Sequence, residues 1–390
     1  VNEGSLVVLA PTGLAAINVG GQTVHSFFKF KPRFIDVREI RPARDTRIFR
    51  QLHTVVIDEV SMVRADLMDG IDHALRINRG DNRPFGGVQV VMFGDPLQLP
   101  PIVKENELQR YFAEHHGSPF FFDAHVFNHL PFNFVELRKV YRQKEVQFLE
   151  ALSNIRDGVN VDAALQLMNT RVVPSANCTD DEITLTTTNA RANTINQQRI
   201  ESIREEAKVY EANVSGKFEE SAYPTDRSLP LKRGAKVMMI RNDASRRWVN
   251  GTLGIVQELR PRSALIRVGS ASYEVQPERW ENVKYEYDEV KRRVVPRVVG
   301  VFEQMPLRIA YAITIHKSQG QTFDKVCIDL DRGAFAHGQL YVAVSRCRTL
   351  EGIRLTQPIT VADVIVDDHA KNYRRKFAAL AAQANDNGAK

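Results

Sequence analysis

Thr54-Val55-Val56-Ile57-Asp58-Glu59 sets an unbroken apolar run directly before two adjacent carboxylates. A run that is apolar throughout, rather than at alternate positions, suits a parallel strand covered on both faces. Two other runs repeat the pattern: Leu6 to Ala10 leads into Pro11-Thr12-Gly13, and Val88 to Phe93 leads into Gly94-Asp95. In sheets of this kind ligands gather at the carboxyl ends of the strands, so the three turns are expected along one edge. An acid pair in that place matches a Walker B element, whose first carboxylate holds Mg²⁺ directly or through water and whose second polarises an attacking water. A solvated turn has the same local text.

The third turn continues as Gly94-Asp95-Pro96-Leu97-Gln98-Leu99-Pro100-Pro101, stiffened by prolines. A rigid turn can hold the Gln98 amide against a terminal phosphate and register its loss, although an ordinary proline-rich loop reads alike.

At 390 residues with 43% hydrophobic content, the chain is expected to form two domains with a small inserted module. No apolar run approaches the ~20 residues of a membrane span, and the opening residues lack signal-peptide character, so a cytoplasmic chain is expected. Cys178, Cys327 and Cys347 have neither CxxC spacing nor an even count, which points to reduced thiols without a zinc site. The net charge of +6 is compatible with a polyanionic partner. Arg246-Arg247, Lys291-Arg292-Arg293 and Arg374-Arg375-Lys376 could touch phosphates or simply be solvated faces.

A second α/β half begins near Val140. Phe148 to Ile155 and Ala190 to Ile203 have helical patterning, Ile183 to Thr187 and Lys325 to Leu330 that of strands, and a further helix is expected around Gln339 to Ser345. Between them, short β-prone pieces (Lys236 to Ile240, Gly254 to Leu259, Ala264 to Val268, Val294 to Phe302) alternate with Gly, Pro and charge clusters, as in a small antiparallel barrel. The polar tail from Ala381 to Lys390 is expected to fray.

Six stretches, in order, resemble the motifs of the PIF family of superfamily one helicases (the B class, RecD-like). Ala10-Pro11-Thr12-Gly13-Leu14-Ala15-Ala16, with Gly21-Gln22-Thr23-Val24-His25-Ser26-Phe27, is similar to motif Ia and its extension; Ile57-Asp58-Glu59-Val60-Ser61-Met62 to motif II; and the Gly94 to Pro101 turn to motif III. Tyr141-Arg142-Gln143 is similar to motif IV, Thr314-Ile315-His316-Lys317-Ser318-Gln319-Gly320-Gln321-Thr322 to motif V, and Tyr341-Val342-Ala343-Val344-Ser345-Arg346 to motif VI.

The resemblance implies an α/β fold of two RecA-like domains with parallel sheets, a P-loop NTPase helicase core, with a small Src-homology-three-like β-barrel in the second. It places the first domain at 1–139 with a small strand-separating insertion near 28–50, the second at 140–230 and 306–380, and the barrel at 231–305. Trp248 and Trp280 are expected in the core or an interface rather than as stacking platforms.

It further implies ATP and Mg²⁺ as cofactors. Asp58 would be the metal ligand, Glu59 the general base, Gln98 the γ-phosphate sensor, and Arg142 and Arg346 arginine fingers from the second domain; Gly320 would join Asp58, Gln98, Arg142 and Arg346 in binding nucleotide. Thr12, Gly13, Thr23, His25, Ser26 and Phe27 from the first half would grip single-stranded DNA, Phe27 as a stacking ring, with Thr314, His316, Lys317, Ser318 and Gln319 from the second. His25 and His316 taken singly are equally structural histidines.

The implied activity is ATP-driven 5′ to 3′ translocation on single-stranded DNA by a monomer, with unwinding of duplexes or fork junctions in DNA repair, recombination or telomere maintenance. Its expected location is the cytoplasm, with nucleoid association in a bacterium, or the nucleus or mitochondria in a eukaryote. One motif is missing: no Gly-x-x-x-x-Gly-Lys-[Ser/Thr] phosphate loop occurs in the chain. In the family that loop precedes motif Ia, so a chain truncated at its start and inactive as it stands is expected. A relic that binds nucleic acid without hydrolysis, and an RNA helicase of the same superfamily, are the alternatives.

Overall fold

The computed structural model describes residues 6–103, 106–130, 133–137, 139–173, 182–290 and 293–376. Cys178, Lys291-Arg292 and the Ala381 to Lys390 tail lie outside them. Two four-stranded parallel sheets of RecA-like α/β type organise the chain. In the first the order is Gln22–Thr23, Leu6–Ala10, Thr54–Ile57, Gln89–Met92. Leu9 pairs with Ile57, and Ile57 with Met92, so the turns that follow open on one edge, as the three apolar runs predicted. Val7, Leu9, Val55 and Ile57 are fully buried. Helix Ala65–Arg79 covers this sheet with Met68, Ile71 and Leu75 and stops at Gly80, whose left-handed φ of 66° suits glycine.

The second sheet runs Ala312–Thr314, Ile183–Thr186, Val326–Asp329, Ile353–Leu355 and is also parallel throughout. Helices Val146–Asp157, Asn189–Glu201 and Gln339–Ser345 fall where helical patterning predicts them.

Strands Ala271–Val275, Ala264–Val268, Leu253–Leu259, Lys236–Met239 and Leu307–Ile309 form an open five-stranded sheet with its own core around Trp248, Val256 and Ile266. Antiparallel pairing also extends upstream of Leu231, where Lys208–Glu211 joins Ser228–Leu231. Partners so distant in sequence leave no local signature. Trp280 is buried against Phe302, a core aromatic like Trp248.

A long hairpin, Glu278–Asp288 with Arg293–Gln304, leaves this region and reaches the first half. There Tyr285 and Val294 enter the first core. The Tyr285 hydroxyl accepts from the Val8 amide (3.2 Å), and the Tyr285 amide donates to Gln22 Oε1 (3.0 Å). Residues 28–50 hold a short turn, Val37–Glu39, and a helix, Arg47–Arg50; Arg47 binds Glu289 of the hairpin, and Ile48, Phe49, Tyr285 and Tyr287 help line a cavity of about 820 Å³.

Cys347 is a buried free thiol whose pKa burial pushes up to about 11. Cys327 is disulfide-bonded, which corrects the expectation of reduced thiols throughout; sequence spacing carries no information on which sulfurs meet in space. Among the described residues no helix is long and apolar enough to cross a membrane.

Candidate nucleotide cleft and nucleic-acid rim

The acid pair is fixed by both neighbouring strands. The Asp58 amide donates to the Leu9 carbonyl (2.9 Å) and the Val60 amide to that of Phe93 (2.8 Å). Between them Glu59 takes a left-handed conformation, φ 50°, which non-glycine residues seldom adopt and which occurs here at a candidate chemical group. Burial raises the Glu59 carboxyl pKa, with Asp58 and Asp95 adding to the shift and Arg346 opposing it. Arg346 therefore acts across the cleft on the acid pair from the C-terminal end of helix Gln339–Ser345.

Arg346 is 3% exposed; its Nε donates to the Val342 carbonyl (2.9 Å) and one terminal nitrogen to Ser345 Oγ (2.8 Å). Burial, and Arg142 beside it, lower its pKa to about 10. Arg142 donates to the Ser345 carbonyl (3.2 Å), and burial lowers its pKa too. Two adjacent guanidiniums whose hydrogen bonds go to neutral oxygens form a cationic pocket suited to a multiply charged anion.

On the opposite wall the Asp95 carboxylate accepts from the Leu97 amide (3.0 Å) and from Gln98 Nε2 (3.2 Å). The proline turn is held by the second half: His337 Nε2 donates to the Pro96 carbonyl (2.9 Å), and Leu99 joins the second core. Asp95, Tyr341, Arg156 and His337 were not singled out from the sequence. Asp95 and Tyr341 stand inside the quoted motifs, but Arg156, which hydrogen-bonds Tyr341 and Asp157, sits in no motif, and His337 precedes one. Gly320 lies in the turn after His316–Ser318 at φ 74°, with open space where a side chain would stand.

Three threonine turns are built alike. Thr12 Oγ1 accepts from the Ala15 amide and Thr23 Oγ1 from that of Ser26 (both 3.2 Å), while Thr314 Oγ1 accepts from Lys317 (3.3 Å). Ser26 and Lys317 are exposed, and Gln319 Nε2 is buried without a hydrogen-bond partner. Burial lowers the pKa of both His25 and His316, favouring neutral imidazoles. The backbone of Ala222, from the antiparallel region, lies against Gly13 so closely that an added Cβ would stand 2.7 Å from the Ala222 Cβ.

Two residues expected on the rim are buried. Phe27 is 7% exposed, in edge-on contact with Phe28, Phe49 and Tyr285 at 4.9, 5.7 and 6.2 Å, so with the hairpin docked it is a core ring. Ser318 is fully buried, and its hydroxyl donates to the Ile315 carbonyl (2.7 Å), bracing the turn.

Two RecA-like halves with an acid pair, an amide turn and paired arginines around one cleft define the superfamily one helicase class. The match is family-specific as well: residues 2–164 fit the model described as PIF1-like helicase, 220–259 that of the DNA helicase Pif1 2B domain, and 309–350 that of the UvrD-like helicase C-terminal domain. The ATP-dependent DNA helicase Pif1 of Bdellovibrio bacteriovorus is 31% identical over 96% of this chain and 82% of its own length. The ATP-dependent DNA helicase PIF1 of Xenopus laevis is 32% identical over 90% of the chain, which spans about half of that relative, 54%. A Bacteroides sp. Pif1 solved with ADP-AlF4 has a TM-score of 0.89 at 36% identity, covering 97% of this chain and 88% of the other; bound to single-stranded DNA, the Bacteroides protein scores 0.66 at 37%, with the same coverages. The chain belongs to the PIF1-like helicase family.

Proposed function

We propose that the chain forms the motor core of an ATP-dependent DNA helicase, with ATP and Mg²⁺ in the cleft and single-stranded DNA along the rim. The observation that carries this is the field of buried Arg346 reaching Glu59 from the other half. Asp58 would hold Mg²⁺, which when bound neutralises phosphate charge. Glu59 would orient the attacking water, Gln98 would register the γ-phosphate, and Arg142 and Arg346 would stabilise charge on the transferring group. Because the arginines and acids belong to different halves, nucleotide turnover would drive opening and closing between them. The division at 1–139, 140–230 with 306–380, and an inserted antiparallel module is part of the same proposal, as is 5′ to 3′ movement.

Thr12, Thr23, His25, Ser26, Thr314, His316, Lys317 and Gln319 would line the strand's path. Since the DNA-bound relative is the less similar of the two, DNA binding would go with an arrangement different from the one described above.

Binding of fluorescent oligo(dT) and oligo(U) tests the rim, and ATP turnover in a protein extended to include a phosphate loop tests the cleft. DNA-stimulated turnover that Glu59→Gln abolishes is expected. DNA binding without turnover in the extended protein would instead identify a binding relic, and equal stimulation by RNA would overturn the DNA assignment.

A further inference from the structure

We infer that Asp69, His116 and His125 form a binding site for a zinc-like divalent metal on the outer face of the first half, away from the nucleotide cleft. Asp69 lies on helix Ala65–Arg79, His116 directly follows helix Asn106–His115, and His125 opens the short helix His125–His129. Three segments far apart in sequence thus each bring a donor atom to one place, all within 4.8 Å of one another.

Two of the three donor separations are short enough for a coordination polyhedron, and the His116 and His125 rings stand stacked with centroids 4.3 Å apart at 19°, so one ring has to turn for both lone pairs to reach a shared ion. His116 Nε2 and His125 Nδ1 stand 3.1 and 3.2 Å from the same oxygen, Asp69 Oδ2. Ligands about 2.0–2.1 Å from a tetrahedral Zn²⁺ lie about 3.3 Å apart along each edge. Two imidazole nitrogens and a carboxylate oxygen are a common zinc donor set, and Mg²⁺ or Ca²⁺ would prefer oxygens only.

Proton placement points the same way. His125 Nε2 lies 2.8 Å from the His115 carbonyl, which can only accept, so this nitrogen carries a hydrogen. In a neutral ring Nδ1 then presents a lone pair to the Asp69 carboxylate, an opposition of two acceptors unless a second proton or a cation lies between them. A ring N–H held by a backbone carbonyl is also how proteins orient a metal-ligating histidine. Asp69 is fixed as well, since its Oδ1 accepts from the Val126 amide (3.1 Å). His116, with a side chain only 4% exposed, has Nε2 against the acceptor-only Asp69 carboxylate and a buried Nδ1 without a hydrogen-bond partner, so a metal would displace the Nε2 proton.

An entry path exists. His125 is 58% exposed on its side chain, and the cluster borders a cavity of about 530 Å³ that His73 and His115 also line, leaving room for a water or a fourth ligand. A metal here would join the three segments and hold the end of helix Asn106–His115 against Ala65–Arg79.

The test uses the full 390-residue chain without a histidine tag, titrated with Zn²⁺ and, separately, Co²⁺, at neutral pH. One equivalent of bound Zn²⁺, a raised melting temperature, and the intense visible absorption of four-coordinate Co²⁺ are expected; Mg²⁺ should produce neither stoichiometric binding nor a raised melting temperature. Loss of supporting outer groups alone weakens metal sites 10–100-fold, so His125→Ala and Asp69→Asn should each lower Zn²⁺ affinity by at least about 100-fold. His125→Ala removes an exposed ring, and Asp69→Asn keeps the acceptor for Val126, so both should fold with the parent's metal-free melting temperature. No stoichiometric binding, or equal affinity in parent and both variants, would overturn the site and leave a His-Asp-His charge cluster.

Discussion

The His337 imidazole donates from Nε2 to the Pro96 carbonyl at 2.9 Å, while its Nδ1 accepts from the Asp367 amide at 2.8 Å, so one neutral ring joins the proline turn of the first half to the second. His337→Ala leaves both backbone groups unpaired at a buried position. A loss of about 1–3 kcal/mol is expected, read from urea unfolding midpoints.

Gly338, next in sequence, has φ 67°, and an added Cβ would stand 2.6 Å from the Leu97 carbonyl oxygen. Gly338→Ala should therefore cost at least about 1–2 kcal/mol through backbone conformation alone and should push the Gln98 turn away from the arginines. Hydrogen exchange should rise over residues 95–101; unchanged protection there would contradict this close approach.

Arg346→Lys keeps the charge but not the planar fork. In a phosphate-loop-containing form of the protein, ATP turnover should fall by about 10³-fold or more while affinity for single-stranded DNA changes little. A parallel loss of DNA affinity would move Arg346 from the chemistry to the strand.

Glu59 supplies a pH signature. Its folded-state pKa is raised above the ordinary 4.5, so between those two values the folded state binds more protons than the unfolded one. That contribution makes the fold less stable as pH rises through the window, and the cost is complete above the folded pKa. Glu59→Gln should accordingly gain stability relative to the parent as pH rises from 4.5, with a flat difference below. Melting temperatures of the pair across acidic to neutral pH would show it.

Phe27→Ala removes a ring enclosed by Phe28, Phe49 and Tyr285, and large-to-small replacement of a buried aromatic costs about 3–5 kcal/mol. Destabilisation should dominate, together with faster hydrogen exchange in the 278–304 hairpin. A variant of parental stability with weakened DNA binding would restore the stacking role expected from sequence.

The chain as printed contains no Gly-x-x-x-x-Gly-Lys-[Ser/Thr] stretch to cradle phosphates, so no substantial ATP turnover is expected from it, with or without DNA. Turnover that Glu59→Gln abolishes in this same chain would show that other groups take over that duty.

Local sequence determined the strand ends. Continuous apolar runs require burial on two faces, which specifies parallel strands, and the polar residues that follow must then emerge at one edge; Asp58, Glu59 and Gln98 were legible for that reason. The order of six motifs added the arginines, whose isolated text would read as surface charge. What only the tertiary structure decided depends on residues far apart in the chain. Arg346 meets the field of Glu59 because two sheets face each other, and Phe27 leaves the rim because Tyr285, some 250 residues later, packs on it. Asp69, His116 and His125 look unrelated in sequence, with no metal-binding spacing between them. They come together only because three segments distant in sequence pack against one another.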